Sequence, residues 1–291
     1  MNRLFRTSSQ QLGSWVYGCS ARIPPVRRRL YGSHRNTYIQ RFISKYDLLR
    51  FFQQRRALPD EFGIGLDERV IEYPWVLSRL LKYQEKCRFL DAGSTLNHEM
   101  ILHHPLVKRH KWTILTLAPE SECFWDLGVS YAYEDLRSMP FRDQWFDAAF
   151  CVSVIEHVGM DNVSYTPDKS YRESRAQDYL QAIDELKRVL SPGGWLYLTV
   201  PFGSYENHGW LQQFDSSMLS RLVAHFEPQR TDKTFFRYSD QGWNLATEEE
   251  CRNSYYCHID AGRFSKALDR KRYDMNFTAA ASAVVCIELQ K

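Results

Sequence analysis

The stretch 88–97, RFLDAGSTLN, limits more than any other what this chain can fold into. Phe89 and Leu90 close a short apolar run. Asp91 comes next, then Ala92, Gly93, Ser94 and Thr95, and an apolar-periodic segment resumes at Met100. That order predicts strand, tight turn, helix. A carboxylate at the carboxyl end of a parallel strand, beside a glycine that admits a ligand to the backbone, is how open α/β sheets build nucleotide sites. A strand that merely ends in a turn has the same local pattern, so the residues beyond Asn97 must decide between the two.

Residues 112–117 (WTILTL) form a second β-like run, ending in Ala118-Pro119-Glu120. A third strand is predicted over 129–134, with Asp135 at its end in DLRSMPF (135–141). Trp145-Phe146-Asp147 opens a run that stays almost continuously apolar to Ile155, the mark of a strand buried on both faces. ELKRVLSPGG (185–194) and WLYLTVPFG complete the series. In this order and spacing the motifs resemble the class I S-adenosylmethionine (SAM) dependent methyltransferases, in particular their small-molecule branch, over about residues 71–203. The resemblance implies an α/β, Rossmann-like, doubly wound, seven-stranded and mostly parallel sheet, with SAM as cofactor. Strand-like runs at 231–238 and 280–289 would supply the final antiparallel pair. In the usual D-x-G-x-G-x-G pattern, glycines fall at 93, 95 and 97. Here only Gly93 is present, beside Thr95 and Asn97, which argues against a dinucleotide site needing closer backbone approach.

The resemblance also assigns roles. Asp91, Ala92, Gly93 and Ser94 form the first cofactor loop. The acid for the ribose hydroxyls falls on Glu120, the nearest carboxylate past the second strand. Asp135, with Leu136 beside it, takes the adenine amino group. Ser153 and Glu156, past the fourth strand, face the cofactor. Glu72, Tyr73 and Trp75, ahead of the first strand, are candidates for covering SAM, with core aromatics as the plainer reading of the two rings. Asp147 is expected to be architectural. An oxygen or nitrogen acceptor calls for a general base, and His157 and then His208 are the catalytic candidates by location. The acceptor site is expected between the 159–175 loop, the 203–215 loop and an insertion at about 240–279, with Tyr165, Tyr171, Trp210 and Trp243 supplying rings.

Elsewhere the periodicity predicts an amphipathic helix over 36–57 with Ile39, Phe42, Ile43, Tyr46, Leu49 and Phe52 on its buried face. A loop is predicted over 58–67, a helix over 68–83 with Pro74 in its first turn, a helix capped by Asn97, and a helix over 216–226. The expected organisation is a basic segment over 1–35, a helical extension or lid over 36–70, and the methyltransferase domain over 71–291.

Charge is distributed unevenly. Residues 1–46 hold nine basic side chains and no acid, which leaves 29 basic and 35 acidic residues in the remainder. The Arg- and Ser-rich head fits an organelle transit peptide and equally a basic arm touching anionic lipid or nucleic acid, beside the plain reading of an unstructured terminus. It is expected to be dispensable for the fold. No apolar run approaches the roughly 20 residues that cross a bilayer. Seven cysteines without a Cys-x-x-Cys pair point to a reducing compartment, so the cytoplasm is expected, with organelle targeting through the head as the alternative. Cys251 and Cys257 beside His258 would make a metal site only with further ligands, and no metal is expected. The mildly acidic body presents no broad basic face, so no specific nucleic acid is expected. A small-molecule or glycan acceptor, O- or N-methylated, fits better. A catalytically silent SAM-binding scaffold or assembly factor is the alternative from another class.

Overall fold

The computed structural model describes residues 24–257 and 281–291, with side chains from residue 34 onward. Most of the basic head and the part of the insertion that includes His258 lie outside the described residues. The described residues begin with two helices, α1 (Pro24–Ile43) and α2 (Tyr46–Gln54). The single helix predicted over 36–57 is broken at Ser44 and Lys45, where Lys45 is extended. The break resets the helical phase. Ile39, Phe42, Ile43, Leu49 and Phe52 are buried as expected, but Tyr46 is 45% exposed. After the loop, α3 (Arg69–Leu80) is buried on every side from Val70 to Leu80, so it is a core helix rather than a surface one. Pro74 lies past its first turn, contrary to the prediction, and the surrounding core rather than a complete hydrogen-bond ladder holds the helix there.

The strands are β1 (Arg88–Ala92), β2 (Lys111–Thr116), β3 (Ser130–Tyr133), β4 (Phe146–Val152) and β5 (Leu190–Pro201). They lie parallel in the order β3-β2-β1-β4-β5. Two short helices, α4 (Glu99–Leu102) and α5 (Pro105–Lys108), fill the β1–β2 crossover. Asn97 does not cap them. Pro105 restarts the helix with His104 as its cap, while the Asn97 side chain donates to Glu122 O (3.1 Å) and accepts from the Tyr131 hydroxyl (2.9 Å). Beyond β4, α6 (Tyr179–Val189) leads into β5. A small hairpin, β6 (Glu206–Asn207) with β7 (Gln212–Gln213), precedes α7 (Ser216–Phe226). Asp215 caps α7 by accepting from Met218 N at 2.8 Å. The chain ends in β8 (Arg230–Ser239), β9 (Gly242–Ala246), the short α8 (Glu248–Cys251) and β10 (Ala283–Gln290).

The antiparallel β10 inserts between β5 and β8, and β9 adds an outer strand to β8. The large sheet therefore has eight strands rather than the expected seven, the extra one coming from the front of the predicted insertion. Alternation sorts the core. Leu90, Ala149 and Leu196 stand in register and pack with residues of α6 and α7, whereas Phe89, Phe150 and Tyr197 pack with the N-terminal helices. Asp147 is architectural in the plainest sense: its carboxylate accepts from Arg88 N at 2.7 Å and fixes the start of β1 beside β4. Trp243, expected at the acceptor, is instead fully buried, with its indole N–H donating to Leu66 O at 2.9 Å.

Candidate active site

Strand order reverses around β1, and a cavity of about 440 Å³ lies past the carboxyl ends of β1 to β4, the place where open α/β sheets hold ligands. The first loop makes one wall. The carboxylate of Asp91 turns back into this loop and accepts from Leu96 N at 2.9 Å. Gly93 takes φ +114 and Ser94 φ +63, so the chain reverses within two residues. Gly93 is required on a second count: a Cβ there would fall inside van der Waals contact of both methyls of Val154. Asp91 is fully buried, and burial pushes its carboxyl up to about 7 against the pull of the loop amides. Its Oδ1 and the Ser94 hydroxyl are buried with no hydrogen-bond partner among the described residues.

The tips of β2 and β3 supply the next two carboxylates. Glu120 stands exposed on the rim and accepts from the Thr116 hydroxyl at 3.2 Å, which ties it to the end of β2. Asp135 lies past β3. Both its oxygens accept from the Arg137 guanidinium, at 2.6 to 3.1 Å, and its Oδ1 also accepts from Arg137 N. The same guanidinium reaches Glu173 (3.0 Å) and Asp178 (2.8 Å). It pins the 159–178 strap to the β3 tip and holds the Asp135 carboxyl below its ordinary range against the opposing effect of burial. At the neck of that strap, Arg175 N donates to Gly159 O at 2.7 Å.

Past β4, Ser153 adopts φ +47 and lines the cavity, its hydroxyl donating to Glu72 at 2.6 Å. His157 also lines the cavity. Its Nδ1 lies 2.9 Å from the carbonyl oxygen of Trp210. A carbonyl only accepts, so Nδ1 carries the hydrogen and Nε2 of the neutral ring is left as an acceptor. Burial lowers this imidazole to about 4, which keeps it neutral near pH 7. The ring sits edge-on to Tyr165 (5.5 Å) and tilted against Trp210 (5.0 Å). Beside it, burial holds the Glu156 carboxyl well above its ordinary range, and Oε2 has no partner among the described residues.

Of the residues predicted from sequence, Gly93, Glu120, Asp135, Leu136, Ser153 and His157 line the cavity. Asp91, Ala92, Ser94 and Glu156 do not, although all four belong to the segments that form its walls. Tyr73 does not line it either; it is buried, with Arg69 6.0 Å from its ring centroid. Glu72 and Trp75 are likewise fully buried, Trp75 edge-on to Tyr197. His208 stands off on the β6–β7 hairpin, 3.0 Å from the Glu206 carboxylate and 5.2 Å from the Tyr256 ring. The strap contributes Asn162, Ser164, Tyr165 and Tyr171, so one of the three predicted acceptor loops does border the cavity. Sequence reasoning does not reach two lining residues, Arg69 and Arg137. The only sequence signal for Arg137 is its place inside DLRSMPF, and Arg69 has none beyond preceding Glu72.

The donor set suits SAM. Carboxylates at the tips of β2 and β3 match ribose hydroxyls and an adenine amino group. The unpartnered Asp91 Oδ1 and Ser94 Oγ lie beside the loop that would meet the charged methionine end. Among the described residues, no group of three or more His, Cys, Asp or Glu side chains is placed to hold a metal ion.

A family model described as a methyltransferase domain matches residues 114–198, from within β2 to within β5. No curated protein matches the sequence. Among solved structures, the chain is similar to a SAM-dependent methyltransferase from Thermotoga maritima described as a possible histamine N-methyltransferase. Identity is 14%, coverage 88% of this chain and 99% of that one, and the TM-score 0.44. It is similar also to the Burkholderia thailandensis 1,6-didemethyltoxoflavin-N1-methyltransferase, solved with 1,6-didemethyltoxoflavin and S-adenosylhomocysteine (13%, 86% and 87%, 0.44). A third is the [4+2]-cyclase SpnF (17%, 74% and 78%, 0.44). The domain match covers the strands whose tips carry Glu120, Asp135 and His157, and with the strand order and the glycine-turned first loop it gives this chain a methyltransferase domain, with S-adenosylmethionine as the cofactor.

Proposed function

We propose that this enzyme methylates an oxygen or nitrogen of a small, partly apolar acceptor held against His157, with Nε2 of that histidine taking the acceptor's proton. The observation that carries the reading is the fixed tautomer of His157. Its Nδ1 hydrogen is committed to Trp210 O, its charge is suppressed by burial, and it borders the cavity. When bound, SAM supplies a methyl group on a positively charged sulfur. The chain's own work is to align the acceptor with that methyl and to keep water out. The strap does both: Tyr165 and Tyr171 bring ring faces and hydroxyls, and Asn162 and Ser164 bring short polar groups, to one side of the cavity. A neutral imidazole at hydrogen-bond distance orients an O–H or N–H and receives its proton as the new bond forms. Low basicity suits an acceptor that becomes acidic only as the methyl arrives. Turnover is followed as S-adenosylhomocysteine release across a panel of phenols, alcohols, sugars and amines. His157→Ala should lower turnover of the responding acceptor by about a hundredfold with SAM affinity retained. Loss of SAM binding in step with turnover would make His157 part of the cofactor site, and undiminished turnover would remove it from the chemistry.

A further inference from the structure

We infer that Arg69 receives the carboxylate of the bound cofactor's methionine end, and that Glu72, which does not itself line this cavity, is the positioning residue that aims it. This rests on the assignment of the cavity to SAM.

Two cations line the cavity among the described residues, Arg69 and Arg137. Arg137 stands at the β3 end with its fork taken up by Asp135, Glu173 and Asp178. Arg69 stands at the other end, where its charge acts on Asp91, His98 and His157. That end adjoins the Gly93 turn, where the methionine part would lie if the adenine lies at Asp135. A guanidinium has five donors in a planar fork that matches a carboxylate with two parallel hydrogen bonds. Only Nη1 of Arg69 is engaged, by Glu72 Oε2, and among the described residues no other hydrogen bond reaches the fork.

Glu72 is itself fully buried. Its Oε1 accepts from the Ser153 hydroxyl and the Thr199 hydroxyl, both at 2.6 Å, and its Oε2 accepts from Arg69. One carboxylate on α3 therefore ties the tip of β4 and the carboxyl end of β5 to the cation at the cavity wall. Tyr73 stands behind the guanidinium. A buried acid with every contact directed at holding other groups, two of which line the cavity, sets geometry rather than binding ligand.

The test compares SAM with decarboxylated SAM, which lacks only the carboxylate, by calorimetric titration of the full chain. The wild type should bind SAM about 30-fold more tightly than decarboxylated SAM, the scale of a bidentate charged hydrogen bond. Arg69→Gln should bring that ratio to about one, with decarboxylated SAM bound as well as by the wild type. Arg69→Lys, which keeps a charge without the fork, should retain part of the ratio. Glu72→Gln keeps shape and can still accept both hydroxyls, so it should shrink the ratio while the melting temperature shows the fold intact. An undiminished ratio in folded Arg69→Gln or Arg69→Lys overturns the inference and leaves Arg69 for an acidic acceptor. Equal loss of both ligands in Glu72→Gln overturns its positioning role. Failure of the wild type to bind either ligand overturns the cavity assignment itself, a different result from an unchanged ratio.

Discussion

Asp91 is the carboxyl group on which burial by the fold bears most directly at the first loop. The fold removes it from water, and its ordinary value of 3.8 rises to about 7. The neutral form is thus favoured in the folded state. Its contribution to stability is present below about pH 4 and falls away as pH rises toward 7, because across that window the unfolded chain ionises and the folded one does not. His157 has the opposite sign: its folded value of about 4 lies below the ordinary 6.5, so its contribution is present above pH 6.5 and is lost as pH falls toward 4. A cationic ligand beside Asp91 favours the ionised carboxylate, so binding should expel a proton. SAM affinity should therefore climb between pH 5.5 and 7 and level off above it. Titration in buffers of different ionisation enthalpy measures the released proton, and Asp91→Asn should flatten the rise. A flat wild-type profile would mean that no positive charge sits near this residue.

The β1 loop shows how an element was legible in outline and not in detail. RFLDAGSTLN is enough to predict a strand and a turn at Gly93, and both are present, with Gly93 at the wall of the cavity. The sequence does not reveal that Val154, from the loop after β4, packs against the missing Gly93 side chain. Gly93→Val cannot therefore be a clean block of the cofactor pocket. It forces a β-branched residue to φ +114 and drives Val154 out of place, so it should cost about 3 kcal/mol or more of stability, read as a lowered denaturant midpoint. A wild-type midpoint would show that the loop relaxes freely. The same limit hid the acid–base geometry of α3. Glu72 meets Ser153 and Thr199 across 81 and 127 residues of chain, and Arg137 meets Glu173 and Asp178 across 36 and 41. Such pairs arise from topology, not from local pattern. The break at Ser44 and Lys45 escaped for a related reason, since apolar spacing alone does not register a change of helical phase.

At the scale of the molecule, the parallel strand order was readable because each buried strand is an apolar run flanked by a turn and a polar tip, and the tips carry the chemistry. What escaped was distribution across the sheet's antiparallel edge: β9 joined the sheet, and Trp243 went into the core beneath Leu66 instead of toward an acceptor. The N-terminal helices, expected as a helical extension or lid, pack on the sheet face of Phe89, Phe150 and Tyr197 together with α3, whose first residue, Arg69, lines the cavity. The helix begins at Pro24, so trimming to residue 32 would cut into α1 rather than stop before it. We assign the cavity past β1 to β4 to SAM, with its ribose at Glu120. Calorimetric titration of wild type and Glu120→Ala with S-adenosylhomocysteine tests it most directly, because Glu120 is exposed and its removal leaves the core untouched. One site per chain is expected, with affinity reduced about tenfold or more in the variant and an unchanged melting temperature; no binding to the wild type, or equal affinity in both proteins, would overturn that assignment.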